Sequence, residues 1–164
     1  MRILYFGGQK SGKSGLAEKK SLELSKEKKP YYIATYDNSF GDDEMQTRVL
    51  KHQNQRKDKF ITIEEKFLLS NIIEDENTYL IDCMSMWLLN ALEKDEDELL
   101  KEIEKLESSN ANIVFVLNDV SCGVIPFEKL SRKYVDLSGI IGQKLASICD
   151  EVYEVKLGLE KRLK

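Results

Sequence analysis

No stretch of this chain stays apolar for the ~20 positions that a membrane-crossing helix needs, so no membrane span is expected. Met1 leads directly into the apolar run Ile3-Leu4-Tyr5-Phe6, leaving no room for a signal peptide, and a cytoplasmic protein is expected. Cysteine is scarce: Cys83, Cys122 and Cys149 are an odd number without metal-ligand spacing. They read as thiols in a reducing compartment, not as a disulfide framework or a zinc site. His52 is the one histidine. An excess of positive charge is also missing, because 25 Lys and Arg face 29 Asp and Glu for a net charge of −4. The whole molecule therefore has no attraction for nucleic acid, although a local basic patch remains. Internal repeats, linkers and low-complexity segments are absent. What remains is a chain of 164 residues, 41% apolar and 33% charged, which fits one globular domain spanning 1–164.

One stretch organises the rest. Gly7-Gly8-Gln9-Lys10-Ser11-Gly12-Lys13-Ser14 fits the phosphate-binding pattern G-x-x-x-x-G-K-S/T. An apolar strand precedes it and helix-forming residues follow from Lys13 to about Lys26. Glycines let such a loop curl until its N–H groups face phosphate oxygens, and the following helix adds its partial positive charge. Lys13 would reach the β- and γ-phosphates of a nucleotide, and the Ser14 hydroxyl would hold Mg²⁺.

Further along, Tyr31 to Thr35 reads as a second strand and Tyr36 to Gly41 as a polar loop. Asp42 and Asp43 can start a helix running to about Asn54. Phe60 to Glu64 reads as a short strand and Phe67 to Ile73 as a short helix. The strand Thr78 to Cys83 carries Asp82 near its end, a place suited to a carboxylate that shares Mg²⁺ with Ser14. The alternative role for Asp82 is a helix cap. Met84 to Leu92, with Trp87 in its middle, is apolar all round and reads as a buried helix. The acidic run Asp95 to Glu98 opens a helix with Leu99, Ile103 and Leu106 on one face. Asn112 to Asn118 has the apolar run of a buried parallel strand. Leu130, Tyr134, Leu137, Ile141, Leu145 and Ile148 stripe one face of a long helix, and Glu151 to Leu157 forms a last strand. Alternating strands and helices predict an α/β fold with a mostly parallel sheet flanked by helices. The loops 7–14, 34–36, 82–85 and 118–126 then share one crevice at the carboxyl ends of the strands.

A second chemical group surrounds His52. If its segment is helical, Glu44, Arg48, His52 and Arg56 share a face. Two neighbouring arginines disfavour imidazolium and lower the histidine pKa. A neutral imidazole can attack a phosphate while Arg48 and Arg56 stabilise its anionic oxygens. The alternative is an ordinary surface histidine on a basic helix.

Taken together, these stretches resemble the adenosylcobinamide kinase / adenosylcobinamide-phosphate guanylyltransferase family of cobalamin biosynthesis. The resemblance rests on 7–14, on Tyr32-Ile33-Ala34-Thr35, and on Asp42-Asp43-Glu44-Met45 followed by Arg48, Val49, His52 and Arg56. It continues through Thr62 and Glu64, Asn118-Asp119-Val120, Gly123 to Pro126, Arg132, Asp136, Gly139 and Gln143. Departures include Lys57 where proline is usual, Phe60 where tryptophan is common, and Asp82 in place of a common glutamate.

The resemblance implies a phosphate-loop domain of the recombinase-like branch, a homo-oligomer (a trimer), with ATP and GTP as substrates. It implies nucleotide binding by Gly7, Gly8, Gln9, Lys10, Ser11, Gly12, Lys13 and Ser14, by Ala34, Thr35 and Tyr36, and by Gln53, Asn54, Gln55, Arg56, Glu64 and Asp82. Lys13 serves the kinase step, and His52 becomes the nucleophile that carries GMP to adenosylcobinamide phosphate. Two other functions stay open on the residues alone. One is a small-molecule kinase or NTPase without the histidine step. The other is a nucleotide-gated nucleic-acid module using Arg48, Lys51, Arg56, Lys57 and Lys59.

Overall fold

The computed structural model describes residues 1–36, 58–121 and 123–164. Among these, the chain runs β1 (Arg2–Gly7), α1 (Lys13–Ser25), β2 (Tyr31–Ala34), β3 (Ile61–Glu64), β4 (Thr78–Asp82) and α2 (Met84–Asn90). It continues through α3 (Glu96–Glu107), β5 (Asn112–Asn118), α4 (Lys129–Ile148), β6 (Glu151–Lys156) and β7 (Leu159–Arg162). The strands form one sheet in the order β3-β2-β4-β5-β1-β6-β7. Every neighbouring pair is parallel except β6 and β7.

Residues along a strand alternate between faces, so the sheet divides the core in two. Leu4, Ile33, Ile81 and Phe115 pack with Met84, Trp87, Leu99, Ile103, Ile141 and Leu145, which places α2, α3 and α4 on one side. Ile3, Tyr5, Leu80, Val114 and Val116 pack with Ala17 of α1 on the other. Burial on both faces explains the uninterrupted apolar run of β5. The expected α/β architecture is borne out.

Local expectations differ in four places. The segment Phe67 to Ile73 forms only a 3-10 turn, Leu69–Asn71. The Glu65 carboxylate accepts the Phe67 and Leu68 N–H groups at 2.8 Å each, and the Phe67 carbonyl accepts the Trp87 indole N–H at 2.9 Å. Those backbone groups are thereby engaged outside a helical ladder. Leu130 is exposed, so the buried part of the α4 stripe runs from Leu137 to Ile148, with Tyr134 half-buried. The last parallel strand is followed by β7, which the sequence reading does not contain. Strand ends also shift by one residue, with β3 starting at Ile61 and β4 ending at Asp82. The helix expected from Asp43 to Asn54 lies outside the described residues.

Candidate functional site at the carboxyl ends of the strands

The register of the sheet brings the predicted residues of four strands to one end. Gly7 of β1 is level with Asn118 of β5 and with Val155 of β6. Ala34 of β2 is level with Glu64 on one side and Asp82 on the other. Glycine is required at Gly7, because a Cβ there would collide with the Val155 carbonyl. Gly12 has φ of 99°, which L side chains rarely adopt. Between them the loop turns back on itself, with the Ser11 N–H donating to the Gly8 carbonyl at 3.2 Å. Helix α1 begins at Lys13, so its first N–H groups open towards this end of the sheet.

Lys13 is buried, and its ammonium donates to the Gly8 carbonyl at 3.1 Å. Burial pulls its pKa below the ordinary lysine value, while the neighbouring Cys83 and Asp82 act in the opposite direction. The Ser14 hydroxyl lies 3.4 Å from Asp82 Oδ1 and donates to it. The Tyr32 phenol donates to the Asp82 carbonyl at 3.1 Å and approaches its Oδ2 at 3.4 Å. These contacts direct the carboxylate to α1 and β2. The N-cap position of α2 falls one residue further on, at Cys83. Burial and the Asp82 charge push the Cys83 thiol up to about 11, so it is neutral at physiological pH.

A second layer of bonds fixes the neighbouring loop ends. The buried Thr35 hydroxyl donates to the Cys83 carbonyl at 2.8 Å. The Asn90 amide donates to the Thr35 carbonyl at 2.6 Å and to the Lys66 carbonyl at 3.1 Å. Ser85 Oγ accepts the Asn118 N–H at 2.9 Å, and the Asp119 N–H donates to the Gly7 carbonyl at 2.9 Å. The segments 7–14, 34–36, 82–85 and 118–119 are therefore linked. Further along the loop after β5, Val124, Ile125 and Phe127 are 95%, 80% and 100% exposed. Glu64 is exposed at the edge of the group, and Tyr36 is half-buried. Among the described residues, the Ser11 and Tyr36 hydroxyls are buried without a hydrogen-bond partner.

Arg48, His52, Gln53, Asn54, Gln55 and Arg56 lie outside the described residues. The sequence assigns no role to the side chains of Tyr32, Ser85 and Asn90, whose polar groups bond to Asp82, Asn118 and Thr35. Nothing in their local patterns distinguishes them, because these partners stand 50, 33 and 55 residues away along the chain.

This arrangement of a curled loop, a buried lysine and a hydroxyl–carboxylate pair is equipped to hold a polyphosphate. The comparisons agree with it. Residues 3–163 match the model of the cobinamide kinase / cobinamide phosphate guanyltransferase family. The bifunctional adenosylcobalamin biosynthesis protein CobP of Pseudomonas aeruginosa is 35% identical over 173 residues, covering 100% of this chain and 98% of the relative. The bifunctional adenosylcobalamin biosynthesis protein CobU of Escherichia coli is 30% identical over 186 residues, covering 100% of both chains. Among solved structures, the flagellar accessory protein FlaH from Methanocaldococcus jannaschii has a TM-score of 0.53 at 14% identity, covering 99% of this chain and 77% of its own. A KaiC-like protein from Pyrococcus horikoshii gives a TM-score of 0.50 at 12% identity, covering 93% of this chain and 69% of its own. Those two likenesses bear on the fold alone, and they agree with a mostly parallel sheet flanked by helices. With a family match over nearly its whole length, the chain belongs to the cobinamide kinase / cobinamide phosphate guanyltransferase family, transferases of cobalamin biosynthesis.

Proposed function

We propose that this single-domain protein performs both of its family's transfers on adenosylcobinamide, using ATP or GTP first and GTP second. The observation that carries the reading is the family match over 3–163 combined with a phosphate loop whose lysine is buried beside a hydroxyl–carboxylate pair.

In the first transfer, a hydroxyl oxygen of the corrinoid attacks the γ-phosphorus, the nucleoside diphosphate leaves, and the hydroxyl proton passes to solvent. Lys13 exchanges its bond to the Gly8 carbonyl for phosphate oxygens, where its charge opposes the charge of the transition state. The partnerless Ser11 hydroxyl supports phosphate at this loop, since it gains there the bond it lacks. Ser14 and Asp82 would hold Mg²⁺, and their chemistry fits, since both present hard oxygens and these stand 3.4 Å apart. That ion supplies neutralisation of phosphate charge. Ala34, Thr35, Tyr36 and Glu64 border the nucleotide, with Thr35 held by Cys83 and Asn90.

In the second transfer, the His52 imidazole attacks the α-phosphorus of GTP, and pyrophosphate leaves. Arg48 and Arg56 stabilise the anionic oxygens, and Gln53, Asn54 and Gln55 contact the nucleotide. The phosphate of the corrinoid then attacks the guanylyl-histidine, releasing the imidazole and forming adenosylcobinamide-GDP. A covalent intermediate divides one hard displacement into two. We place the protein in the cytoplasm, with no nucleic acid partner. It assembles as a homo-oligomer, a trimer, and the exposed Val124, Ile125 and Phe127 support such contacts.

The test is product analysis by mass spectrometry. Adenosylcobinamide with ATP should gain one phosphate, and addition of GTP should then convert that product to the GDP form. A phosphorylated corrinoid that never accepts GMP would reduce the function to a kinase.

A further inference from the structure

The turn between β6 and β7 lies against the phosphate loop, although nothing in the loop's own motif requires it there. Strands β1 and β6 are paired up to Gly7 and Val155, so both deliver their following residues to the same place. After Lys156 the chain reverses in two residues, Leu157 and Gly158, with φ of 56° and 79°, and Leu159 pairs back with Lys156. Two positive φ values in a two-residue loop belong to the turn class whose twist suits a hairpin. The N–H of the second turn residue has no partner in such a hairpin. In this protein the Gly158 N–H donates to the Ser11 carbonyl at 2.8 Å. The Gly158 Cα lies 3.1 Å from where a Cβ on Gly12 would stand, and the Val155 carbonyl fills the place of a Cβ on Gly7. One hairpin thus flanks both outer glycines of the motif and bonds to the residue between them.

We infer that the Leu157–Gly158 turn is a positioning element for the phosphate loop, holding its N–H groups inward before a nucleotide arrives. The inference rests on the reading that this loop binds nucleotide phosphates. A glycine-rich loop with positive φ at Lys10 and Gly12 has many other conformations, and restricting them beforehand lowers the ordering cost of binding. Leu157 is 88% exposed yet sits at positive φ, an unfavourable place for leucine. The turn keeps its shape despite that strain, which fits a shape required by the loop beside it.

The test is equilibrium binding of a fluorescent N-methylanthraniloyl GTP with MgCl₂ at 25 °C, on full-length chains. Gly158→Ala strains the turn without a clash, since no atom lies within 4 Å of the added carbon. Gly158→Asn retains the N–H and tolerates the left-handed region. A third chain, ligated at Cys149, replaces the Leu157–Gly158 amide by an ester, which removes the donor and leaves every side chain unchanged. Gly158→Ala and the ester should bind about three- to tenfold more weakly, with KM for GTP rising in step and kcat changing less. Gly158→Asn should bind as the unaltered protein does. A turn with only a structural role would lower Tm and leave binding at 25 °C unchanged, and that result would overturn the inference. If Gly158→Ala does not fold, the ester chain decides by the same criterion. Absence of binding by the unaltered protein would instead overturn the phosphate-loop reading, before any variant is compared.

Discussion

Replacing Lys13 by methionine separates the resting protein from the liganded one, because the two effects have opposite signs. In the resting site Lys13 is 6% exposed, and its ammonium has the Gly8 carbonyl as a hydrogen-bond acceptor at 3.1 Å. Its pKa in the folded state lies below the usual lysine value, chiefly through burial. Below that lowered pKa both folded and unfolded chains carry the proton, and the folded chain holds it less favourably. Between the lowered pKa and about 10.4, the unfolded chain binds more protons, so this group's contribution to stability rises with pH. Methionine removes a cost at neutral pH and fills similar volume. The Tm of unliganded Lys13→Met should therefore equal or exceed that of the unaltered protein, and the gap should close above pH 10. With GTP and MgCl₂ the order reverses. GTP at one hundred times its Kd stabilises by about 2.7 kcal/mol, roughly 5–11 °C for a chain of this size. Losing charge-assisted bonds to phosphate costs about 1.5–3 kcal/mol, a rise in Kd of about 10- to 150-fold. At the same GTP concentration the variant then gains only about 0.3–1.4 kcal/mol, or roughly 1–6 °C. Thermal melts by dye fluorescence, with and without GTP, read both effects. An undiminished GTP shift in the variant would refute the placement of Lys13 on the phosphates. A large fall in unliganded Tm would refute the argument from burial.

Two further outcomes follow from the geometry. Asp82→Asn should keep the fold while raising the MgCl₂ concentration for half-maximal kinase activity. Loss of Tm with an unaltered Mg²⁺ dependence would count against the pairing of Asp82 with Ser14. Trp87→Phe retains the stack on Phe67, whose ring centroid is 5.5 Å away, but removes the indole donor from the half-buried Phe67 carbonyl, which keeps the Leu69 N–H at 2.9 Å. Loss of that one bond should destabilise by about 0.5–1.5 kcal/mol, readable by urea denaturation, with kcat unchanged.

The parts of the molecule that follow from repeated local patterns were legible in the sequence. Strand β5 spans Asn112–Asn118 as its apolar run predicts, because a strand covered on both faces needs no polar alternation. The phosphate loop was legible because its glycines and its strand–helix context are local. Strand β7 was not, since Leu159 to Arg162 are all exposed and carry no periodic signal. Its turn was also hidden, because leucine stands where hairpins of this class favour asparagine. Phe67 to Ile73 misled because its apolar residues suit a helix, while Glu65 and Trp87, one adjacent and one distant, engage its backbone. Glu102 is a buried carboxylate on α3, accepting the Ser70 N–H at 2.7 Å and the Lys105 ammonium at 3.2 Å. Helical periodicity alone placed only Leu99, Ile103 and Leu106 on that face. In the site, the alignment of Ala34, Glu64 and Asp82 comes from strand register, which no single segment encodes.

Whether His52 carries GMP between GTP and the corrinoid is tested most directly by covalent labelling. The protein is incubated with MgCl₂ and either α-labelled or γ-labelled GTP, then denatured. An imidazole–phosphorus bond survives alkali and breaks in mild acid, unlike a serine or threonine phosphoester. The account predicts α-label and no γ-label on the denatured chain, release by mild acid, and pyrophosphate formed in step with labelling. His52→Ala should take no label, as the chain has one histidine. A chain that takes no α-label at saturating GTP, yet still releases the γ-phosphate, would contradict the account and leave a plain kinase or NTPase.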